Sequence, residues 1–147
     1  MKKRHVRRSF FTLLIAVFIL AGCSNEHLKE LHLMDQQWTE QKLEEYRLDV
    51  KPGTLLDDYQ LQTEGLKTQS AYLLAGDEKL YVYCFDSEEQ LVHGFKAIKA
   101  QTVHLSFLPQ YYFINNVMIV YFMIGPDQEQ FKQVERMVDG FLDEPAK

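Results

Sequence analysis

The second half of this 147-residue chain carries the same order of strand, turn and helix signals twice, forty residues apart. In the first copy, the β-rich runs Ser70–Ala75 and Lys79–Phe85 flank a turn that contains Gly76, a residue that adopts positive φ without steric cost. In the second copy, Tyr111–Ile114 and Val117–Ile124 flank two adjacent asparagines, which tolerate the left-handed conformation better than most residues. Each pair of runs predicts a β-hairpin.

A helix signal follows each predicted hairpin. Ser87 is placed to cap the first helix, because Gln90 three residues later completes a capping box. Asp127 and Gln130 stand in the same relation at the second helix. Both helices carry apolar residues at helical spacing, which predicts that each buries one stripe. These residues are Leu91, Phe95 and Ile98 in the first helix, and Phe131, Val134, Val138 and Phe141 in the second.

When the two copies are aligned with an offset of forty, turn residues meet turn residues and helix caps meet helix caps. Tyr72 aligns with Tyr112, and Gly76 aligns with Asn116. The pattern predicts a small single α+β domain, in which two hairpin-plus-helix units (ββαββα) share one antiparallel or mixed sheet with both helices on the same face. The run Val117–Ile124 is apolar at every position, which predicts a central strand covered on both sides.

The N-terminal residues predict an export signal. Five basic residues lie before position 10, no acidic residue precedes Glu26, and Phe10–Ala21 is a twelve-residue apolar run broken only by Thr12. A membrane-spanning helix needs about 20 apolar residues, whereas a shorter run after a basic segment is typical of a signal peptide. Residues 1–22 are therefore interpreted as a signal peptide, with an uncleaved N-terminal anchor as the alternative.

The apolar run ends at Leu20-Ala21-Gly22-Cys23, which resembles the lipobox of bacterial lipoproteins: an aliphatic residue, two small residues and a cysteine. The resemblance implies cleavage after Gly22 and attachment of a diacylglyceryl group, with acyl chains such as palmitate, to the thiol of Cys23. Two acyl chains anchor a protein far more durably than one. The implied location is the cell membrane, lipid-anchored on its extracytoplasmic face.

Between the signal peptide and the repeated units, the sequence is polar and its pattern is weaker. Residues 23–52 predict a polar tether that becomes an amphipathic helix, because apolar residues such as Leu31 and Trp38 recur loosely in helical register. Pro52 and Gly53 end this segment, since proline cannot continue a helix. Residues 54–69 fit either a short helix followed by a loop or a short strand. The α+β domain is predicted over residues 53–147.

Charge and cysteine content exclude several classes of function. From Cys23 onward, eleven basic residues stand against twenty-one acidic residues, a formal charge of −10. Nucleic acids repel such a body, so no nucleic-acid partner is expected. If Cys23 carries lipid, Cys84 has no cysteine with which to pair, and it is predicted to be a small buried side chain in a strand. A reactive thiol is the alternative.

The sequence contains no recognisable catalytic motif, since a glycine-rich phosphate loop, GxSxG and HExxH are all missing from it. The histidines after the signal peptide lack the spacing of a metal site; they are His27, His32, His93 and His104. Paired carboxylates are more typical of solvated faces than of acid–base catalysis; the pairs are Asp57-Asp58, Glu44-Glu45 and Glu88-Glu89. No catalytic residue, metal site or cofactor is predicted, and the chain is not expected to be an enzyme.

The aromatic residues of the predicted strands are the candidate binding face. Alternation sends Tyr81, Tyr83 and Phe85 to one face, and the aligned strand adds Tyr121. One alternative is that residues 25–69 fold over this face as its cover. The other is an exposed aromatic surface that binds a peptide, another protein or a cell-wall glycan, because tyrosine supplies rigid apolar area with a polar tip.

The stretches LYVYCFDSEEQLVHGFKAIKAQ and NNVMIVYFMIG, followed by a terminal helix, resemble a pattern found in small uncharacterised lipoproteins of Bacillus-type Gram-positive bacteria. The resemblance covers roughly residues 79–141 and the signal, and it transfers no catalytic residue. Two functions are compatible with it. The first is a non-enzymatic lipoprotein that binds or modulates a neighbouring envelope protein. The alternative is a ligand-capturing lipoprotein, immunity-like or scavenging, that sequesters a cationic peptide or small ligand through its acidic body.

Overall fold

The computed structural model describes residues 33–124 and 128–143 of the chain. Within them lie three helices and a five-stranded antiparallel sheet, so the predicted α+β class is confirmed. Several predicted features lie outside the described residues. They are the signal peptide, the lipid attachment site Cys23, the histidines His27 and His32, and the helix cap Asp127.

The sheet consists of two hairpins joined at its centre and a short fifth strand at one edge. Its strands are β1 (Lys51–Pro52), β2 (Leu66–Leu73), β3 (Lys79–Phe85), β4 (Gln110–Ile114) and β5 (Val117–Phe122). They lie in the order β1-β2-β3-β5-β4, and every neighbouring pair is antiparallel. Both predicted hairpins, β2–β3 and β4–β5, are confirmed. Their turns contain Gly76 at φ 72° and Asn115 at φ 49°, in agreement with the predicted turn chemistry.

Side-chain caps mark the beginning of two of the described helices. The helices are α1 (Gln36–Glu45), α2 (Glu88–Gln101) and α3 (Gln128–Asp143). At α1, the Asp35 carboxylate accepts a hydrogen bond from the Trp38 N–H at 2.8 Å. At α2, the Ser87 hydroxyl accepts from the Gln90 N–H at 3.2 Å, which confirms the predicted cap.

Different helices cover the two faces of the sheet. On one face, Leu80 of β3 packs in a cluster with Leu43 of α1 and Val134 of α3. On the other face, Tyr81 of β3 packs in a cluster with Leu91 of α2. The prediction that both helices of the repeated units share one face is therefore wrong. All six residues of β5 are buried, which confirms a central strand covered on both sides over Val117–Phe122. The last two residues of the predicted run, Met123 and Ile124, lie beyond the strand and are exposed.

Residues 33–62 pack against the sheet. The buried side chain of Leu43 places α1 in the same layer as α3, and β1 extends the sheet by pairing with β2. After β1, the chain crosses the α2 side of the sheet, where Tyr59 and Leu61 are buried. A short 3₁₀ helix, Asp57–Tyr59, and the start of β2 at Leu66 resolve the two alternatives for residues 54–69. The predicted boundary between residues 52 and 53 falls inside this packed unit.

The buried side chain of Asn116 joins three segments at one end of the sheet. Its amide nitrogen donates to the carbonyl oxygens of Met34 at 2.8 Å and Phe85 at 2.7 Å. Its amide oxygen accepts from the Met34 N–H at 2.8 Å. One side chain thus satisfies both polar backbone groups of Met34 and ties the residues just before α1 to the turn of the second hairpin.

Replacement of Gly94 by alanine is expected to destabilise the domain by about 2 kcal/mol. A Cβ at this position of α2 would overlap two ring carbons of Phe85, whose side chain is fully buried. Alanine gains about 1 kcal/mol of helix propensity over glycine, but overpacking at so tight a contact costs about 3 kcal/mol. Chemical denaturation of the natural protein and of Gly94→Ala measures the difference in their free energies of unfolding.

Enlarging the space beneath Gly94 is the control for this prediction. In a Phe85→Leu background, the shorter side chain leaves room for the added methyl group, so Gly94→Ala should be neutral or stabilising there. An unchanged or raised free energy of unfolding for Gly94→Ala in the natural background would contradict the close packing of α2 on β3.

Candidate functional site

The predicted binding face of Tyr81, Tyr83, Phe85 and Tyr121 is not an exposed surface. Each of these side chains is at most 1% exposed. The hypothesis of an exposed aromatic surface is therefore wrong at these four positions. Of the two alternatives, the structure favours a cover by the chain itself, formed in part by residues 54–61, which lie over the first three side chains.

Tyrosine hydroxyl groups hold this cover in place. Tyr83 Oη donates to the Tyr59 carbonyl oxygen at 2.7 Å, and Tyr81 Oη accepts from the Leu56 N–H at 3.3 Å. The rings of Tyr59 and Tyr81 meet edge to face, with their centroids 5.7 Å apart. Tyr81 and Tyr83 thus give apolar area to the core and a polar tip to the backbone above them. Tyr81 and Tyr83, which were predicted to contact a partner, instead form hydrogen bonds with the backbone of the chain itself.

Tyr121 lies on the opposite face of the sheet from Tyr81. β3 and β5 are antiparallel, and their register pairs Tyr81 with Val120. Tyr121 is consequently the partner of Leu80 and joins the α1–α3 layer. The alignment by forty residues matches Tyr81 with Tyr121, whereas the register of the antiparallel pair differs by one residue and places the two side chains on opposite faces. On that other face, Tyr121 donates a hydrogen bond to the buried carboxylate of Glu78.

Alkaline pH is expected to destabilise the fold through its tyrosines. Burial raises the pKa of Tyr59, Tyr81 and Tyr83 above the usual value of 10.0. Burial and neighbouring carboxylates raise the pKa of Tyr72 and Tyr112 to about 12. Because the unfolded chain then releases these protons first, stability that is fully present below about pH 10 is lost as the pH rises towards 12. The denaturation midpoint should fall over this window together with the appearance of tyrosinate absorbance, and a midpoint that stays constant would contradict the prediction.

The described residues offer no assembled catalytic or metal centre. Within residues 33–124 and 128–143, no group of three His, Cys, Asp or Glu side chains is arranged to hold a metal ion. His93 is exposed, and His104 lies on the surface with its Nε2 3.7 Å from Asp58 Oδ1. Burial raises the pKa of the Cys84 thiol, which favours its neutral, unreactive form, and confirms the predicted buried cysteine.

Several exposed apolar side chains lie beside β4. Phe113 of β4 and Val92 of α2 are 44% and 42% exposed, and Leu108, just before β4, is 78% exposed. The ring centroid of Phe95 on α2 lies 4.9 Å from that of Phe113 and 5.2 Å from that of Tyr111. We call the surface between α2 and β4 the β4 groove. Its residues are Val92, Phe95, Lys99, Tyr111 and Phe113.

Two depressions follow the β4 groove along the strand. The first has a volume of about 270 Å³ and is lined by Glu88, Leu91, Val92, Phe95, Phe113 and Asn115. The second has a volume of about 240 Å³, and its lining includes Lys99, Val103, Leu108 and Tyr111. Tyr111 borders one depression and Phe113 the other, and because these residues are two apart on one face of β4, their side chains are about 7 Å apart along the strand. This spacing equals the distance between alternate side chains of an extended peptide.

The opposite face of β4 is acidic. Tyr112 points to the side of the sheet that α3 covers. Glu135 and Asp139 of α3 are exposed and lie one helical turn apart, and their charges contribute with burial to the raised pKa of Tyr112. Neither carboxylate forms an ion pair with another described residue.

The two edges of the sheet differ in their protection against strand pairing. At one edge, β1 is only two residues long and consists of a lysine and a proline, both of which discourage further pairing. At the other edge, β4 has the sequence QYYFI, without a charge or a proline. No other strand among the described residues pairs with its outer side. Such an edge is typical of a site to which another strand is added.

A larger depression, of about 540 Å³, lies between α2 and the segment before β2. Its polar side chains include those of Asp57, Gln60, Gln62 and Gln101. Gln101 Nε2 donates to the Gln60 carbonyl oxygen at 3.3 Å, so part of this region serves to join α2 to the cover. With a single carboxylate and no exposed aromatic ring in its lining, this depression offers weaker recognition chemistry than the β4 groove.

No family model, curated protein or solved structure matches this chain. In the part of the chain that the structure describes, no helix has the length and hydropathy needed to cross a membrane. Function is therefore inferred from the sequence and from the chemistry of the β4 groove.

Proposed function

We propose that this chain is a non-enzymatic lipoprotein, held on the extracytoplasmic face of the cell membrane by a diacylglyceryl group on Cys23, whose domain binds a neighbouring envelope protein. The basic N-terminus, the apolar run and the lipobox resemblance support the anchor. The resemblance to Bacillus-type lipoproteins supports the same location. A sequence without a recognisable catalytic motif supports a binding role over an enzymatic one.

The single observation that carries the binding role is the β4 groove beside an open strand edge. Phe113 and Val92 leave more than two fifths of their surface in water, next to an uncharged strand. Such a surface favours association, because covering it removes apolar area from water and pairs the free backbone groups of the edge. A partner protein that covers the groove can bury the apolar side chains and also form hydrogen bonds with the backbone of the edge strand.

The repeated units account for the position of this surface. We interpret β2-β3-α2 and β4-β5-α3 as the two ββα units of the predicted ββαββα order, which follow a signal peptide. In this arrangement, α2 of the first unit packs on β3 and β5, and its Phe95 contacts Tyr111 and Phe113 of β4, which is the first strand of the second unit and the edge of the sheet. The β4 groove is then the junction between the two units.

The short segment between the anchor and the domain supports a partner in the envelope. Cys23 and Leu33 are ten positions apart in the sequence. A fully extended chain of this length spans at most about 35 Å. Lipid attachment at Cys23 would therefore hold the domain, and with it the β4 groove, within the layer occupied by membrane proteins and their extracytoplasmic segments.

Site-specific photocrosslinking in intact cells tests this function. A benzophenone amino acid replaces Phe113 in the groove, and the same amino acid replaces Gln37, an exposed residue of α1, as the control. We expect a discrete adduct with one envelope protein from position 113 and none from position 37. The same set of adducts from both positions, or none from either, would contradict a partner at the β4 groove.

Capture of a cationic peptide is the second candidate function. The formal charge of −10 after residue 22 and the exposed acids Glu135 and Asp139 beside β4 favour a basic ligand. In this case, the adduct from position 113 would be a small peptide. A ligand that binds only the folded state also raises the melting temperature, so an unchanged melting temperature across a panel of cationic peptides would count against capture.

A further inference from the structure

Resting on the proposed function, we infer that the outer edge of β4 receives an extended segment of the partner protein as a sixth strand, with apolar side chains at alternate positions in the β4 groove and basic side chains between them. The partner contributes this segment from an extracytoplasmic region, and main-chain hydrogen bonds hold it in register. The proposal concerns both the mode of binding and the sequence pattern of the partner.

The backbone of β4 supports strand addition. β5 pairs with one side of β4 over all five residues. In a strand, alternate residues direct their N–H and C=O groups to opposite sides, so the outer edge of β4 presents a row of backbone donors and acceptors. The short β1 edge, with its lysine and proline, presents no comparable row.

The apolar half of the pattern follows from the spacing of the groove. Phe113 borders the first depression and Tyr111 borders the second, on the α2 side of β4. An added strand places every second side chain on this side, about 7 Å apart. Two medium-sized apolar side chains, such as valine or isoleucine, would therefore enter the two depressions when the strand pairs with β4.

The basic half of the pattern follows from charge on the other side of β4. The intervening side chains of an added strand point towards α3, where Glu135 and Asp139 are exposed one turn apart beside Tyr112. Lysine or arginine at these positions would pair with both carboxylates. A second copy of this chain fits less well, because β4-to-β4 pairing would bring the two acidic α3 helices together and place two bodies of formal charge −10 side by side.

Peptide binding to the full-length mature protein in detergent micelles tests the inference. The probe is a blocked hexapeptide of alternating lysine and valine. The first control peptide replaces lysine by glutamate, and the second carries N-methyl groups on alternate backbone nitrogens, which removes the donors needed for strand pairing. We expect only the lysine–valine peptide to bind and to slow hydrogen exchange in β4, with an affinity that falls as salt rises.

Protein variants separate the groove from the acidic helix. Phe113→Asp should weaken binding of the lysine–valine peptide at least tenfold, whereas Leu56→Asp, at a residue of matched exposure (45%) outside the groove, should leave it unchanged. Glu135→Lys combined with Asp139→Lys should also weaken it at least tenfold and should reverse the preference towards the glutamate–valine peptide. Circular dichroism of each variant verifies that the fold is kept.

Three outcomes would overturn strand addition. They are equal binding of the N-methylated peptide, no binding of the lysine–valine peptide at about 1 mM, and a concentration-dependent dimer that Phe113→Asp abolishes. Failure here is distinct from failure of the proposed function. A crosslink from position 113 to an envelope protein, without protection of β4 amides, would retain the function and reject the sixth strand. If the protein isolated from its own cells carries no lipid but binds the lysine–valine peptide, strand addition is retained and the lipid anchor is rejected.

Discussion

Replacing Cys23 with serine is expected to abolish lipid attachment and to remove the mature protein from the membrane. Serine has no thiol to receive the diacylglyceryl group, and each methylene of the lost acyl chains contributes about 0.8 kcal/mol to membrane binding. The product should either accumulate as a precursor that retains residues 1–22 or appear outside the membrane. Labelled palmitate, membrane fractionation and the intact mass of the protein measure this result.

The other cysteine of the chain is the matched control. Cys84 is buried in β3, so Cys84→Ala should keep both the palmitate label and the membrane location. A natural protein whose mass equals that of the polypeptide from Met1 without acyl chains would contradict the anchor. A Cys23→Ser protein of mature mass that still fractionates with the membrane would contradict it equally.

Asn116→Ala is expected to lower the free energy of unfolding by about 3 kcal/mol. The substitution removes three hydrogen bonds, two to the backbone of Met34 and one to the carbonyl oxygen of Phe85. Each lost bond costs roughly 1 kcal/mol, and more where the remaining partner stays buried without water. Asn116 is 2% exposed, which leaves little access for a compensating water molecule. Equilibrium denaturation with urea measures the change.

The adjacent asparagine provides the control for this substitution. Asn115 lies in the same turn, is exposed and has φ 49°, so Asn115→Gly should be neutral or slightly stabilising. Asn116→Asp keeps the acceptor but loses both donors and faces two carbonyl oxygens, so it should destabilise at least as much as alanine. A loss below about 1 kcal/mol for Asn116→Ala, or an equal loss for Asn115→Gly, would contradict the role of Asn116 as a junction.

The features predicted correctly are those that depend on neighbouring residues. Gly76 marks the turn of the first hairpin, and Ser87 caps α2 with the Gln90 N–H. The apolar stripe of α3 is recognisable because Val134 and Val138 recur at the spacing of one helical turn and are both buried. Steric preference, capping and periodicity act over a few residues, and they are therefore readable in the sequence.

The features predicted wrongly depend on contacts between distant segments. The spacing of Tyr81 and Tyr121 suggests equivalent positions, but the register of β3 and β5 places them on opposite faces. The apolar stripes of α2 and α3 are similar in kind, and periodicity alone does not assign either of them to a face of the sheet. The cover over Tyr83 comes from residues 54–61, whose local pattern is ambiguous.

The β4 groove was not predicted, although its sequence carried signals of it. β4 is an uncharged strand, and Val92 places an apolar residue on the outer face of an otherwise amphipathic helix. Val103 and Leu108 add apolar residues to the loop that precedes β4. These signals indicate a binding surface only once β4 is known to lie at the edge of the sheet. At the centre of the sheet, an uncharged strand and the apolar residues beside it would be typical of the buried core.

By itself, the sequence determined the α+β class, the two hairpins, the Ser87 cap of α2 and the apolar stripes of α2 and α3, because each of these follows from the chemistry of residues close together in the chain. Tertiary structure alone decided which helix covers which face, where Tyr121 points and which edge of the sheet stays open. Strand register and layer pairing join residues far apart in the chain, and several arrangements bury the same apolar residues, so only the packed structure selects one of them.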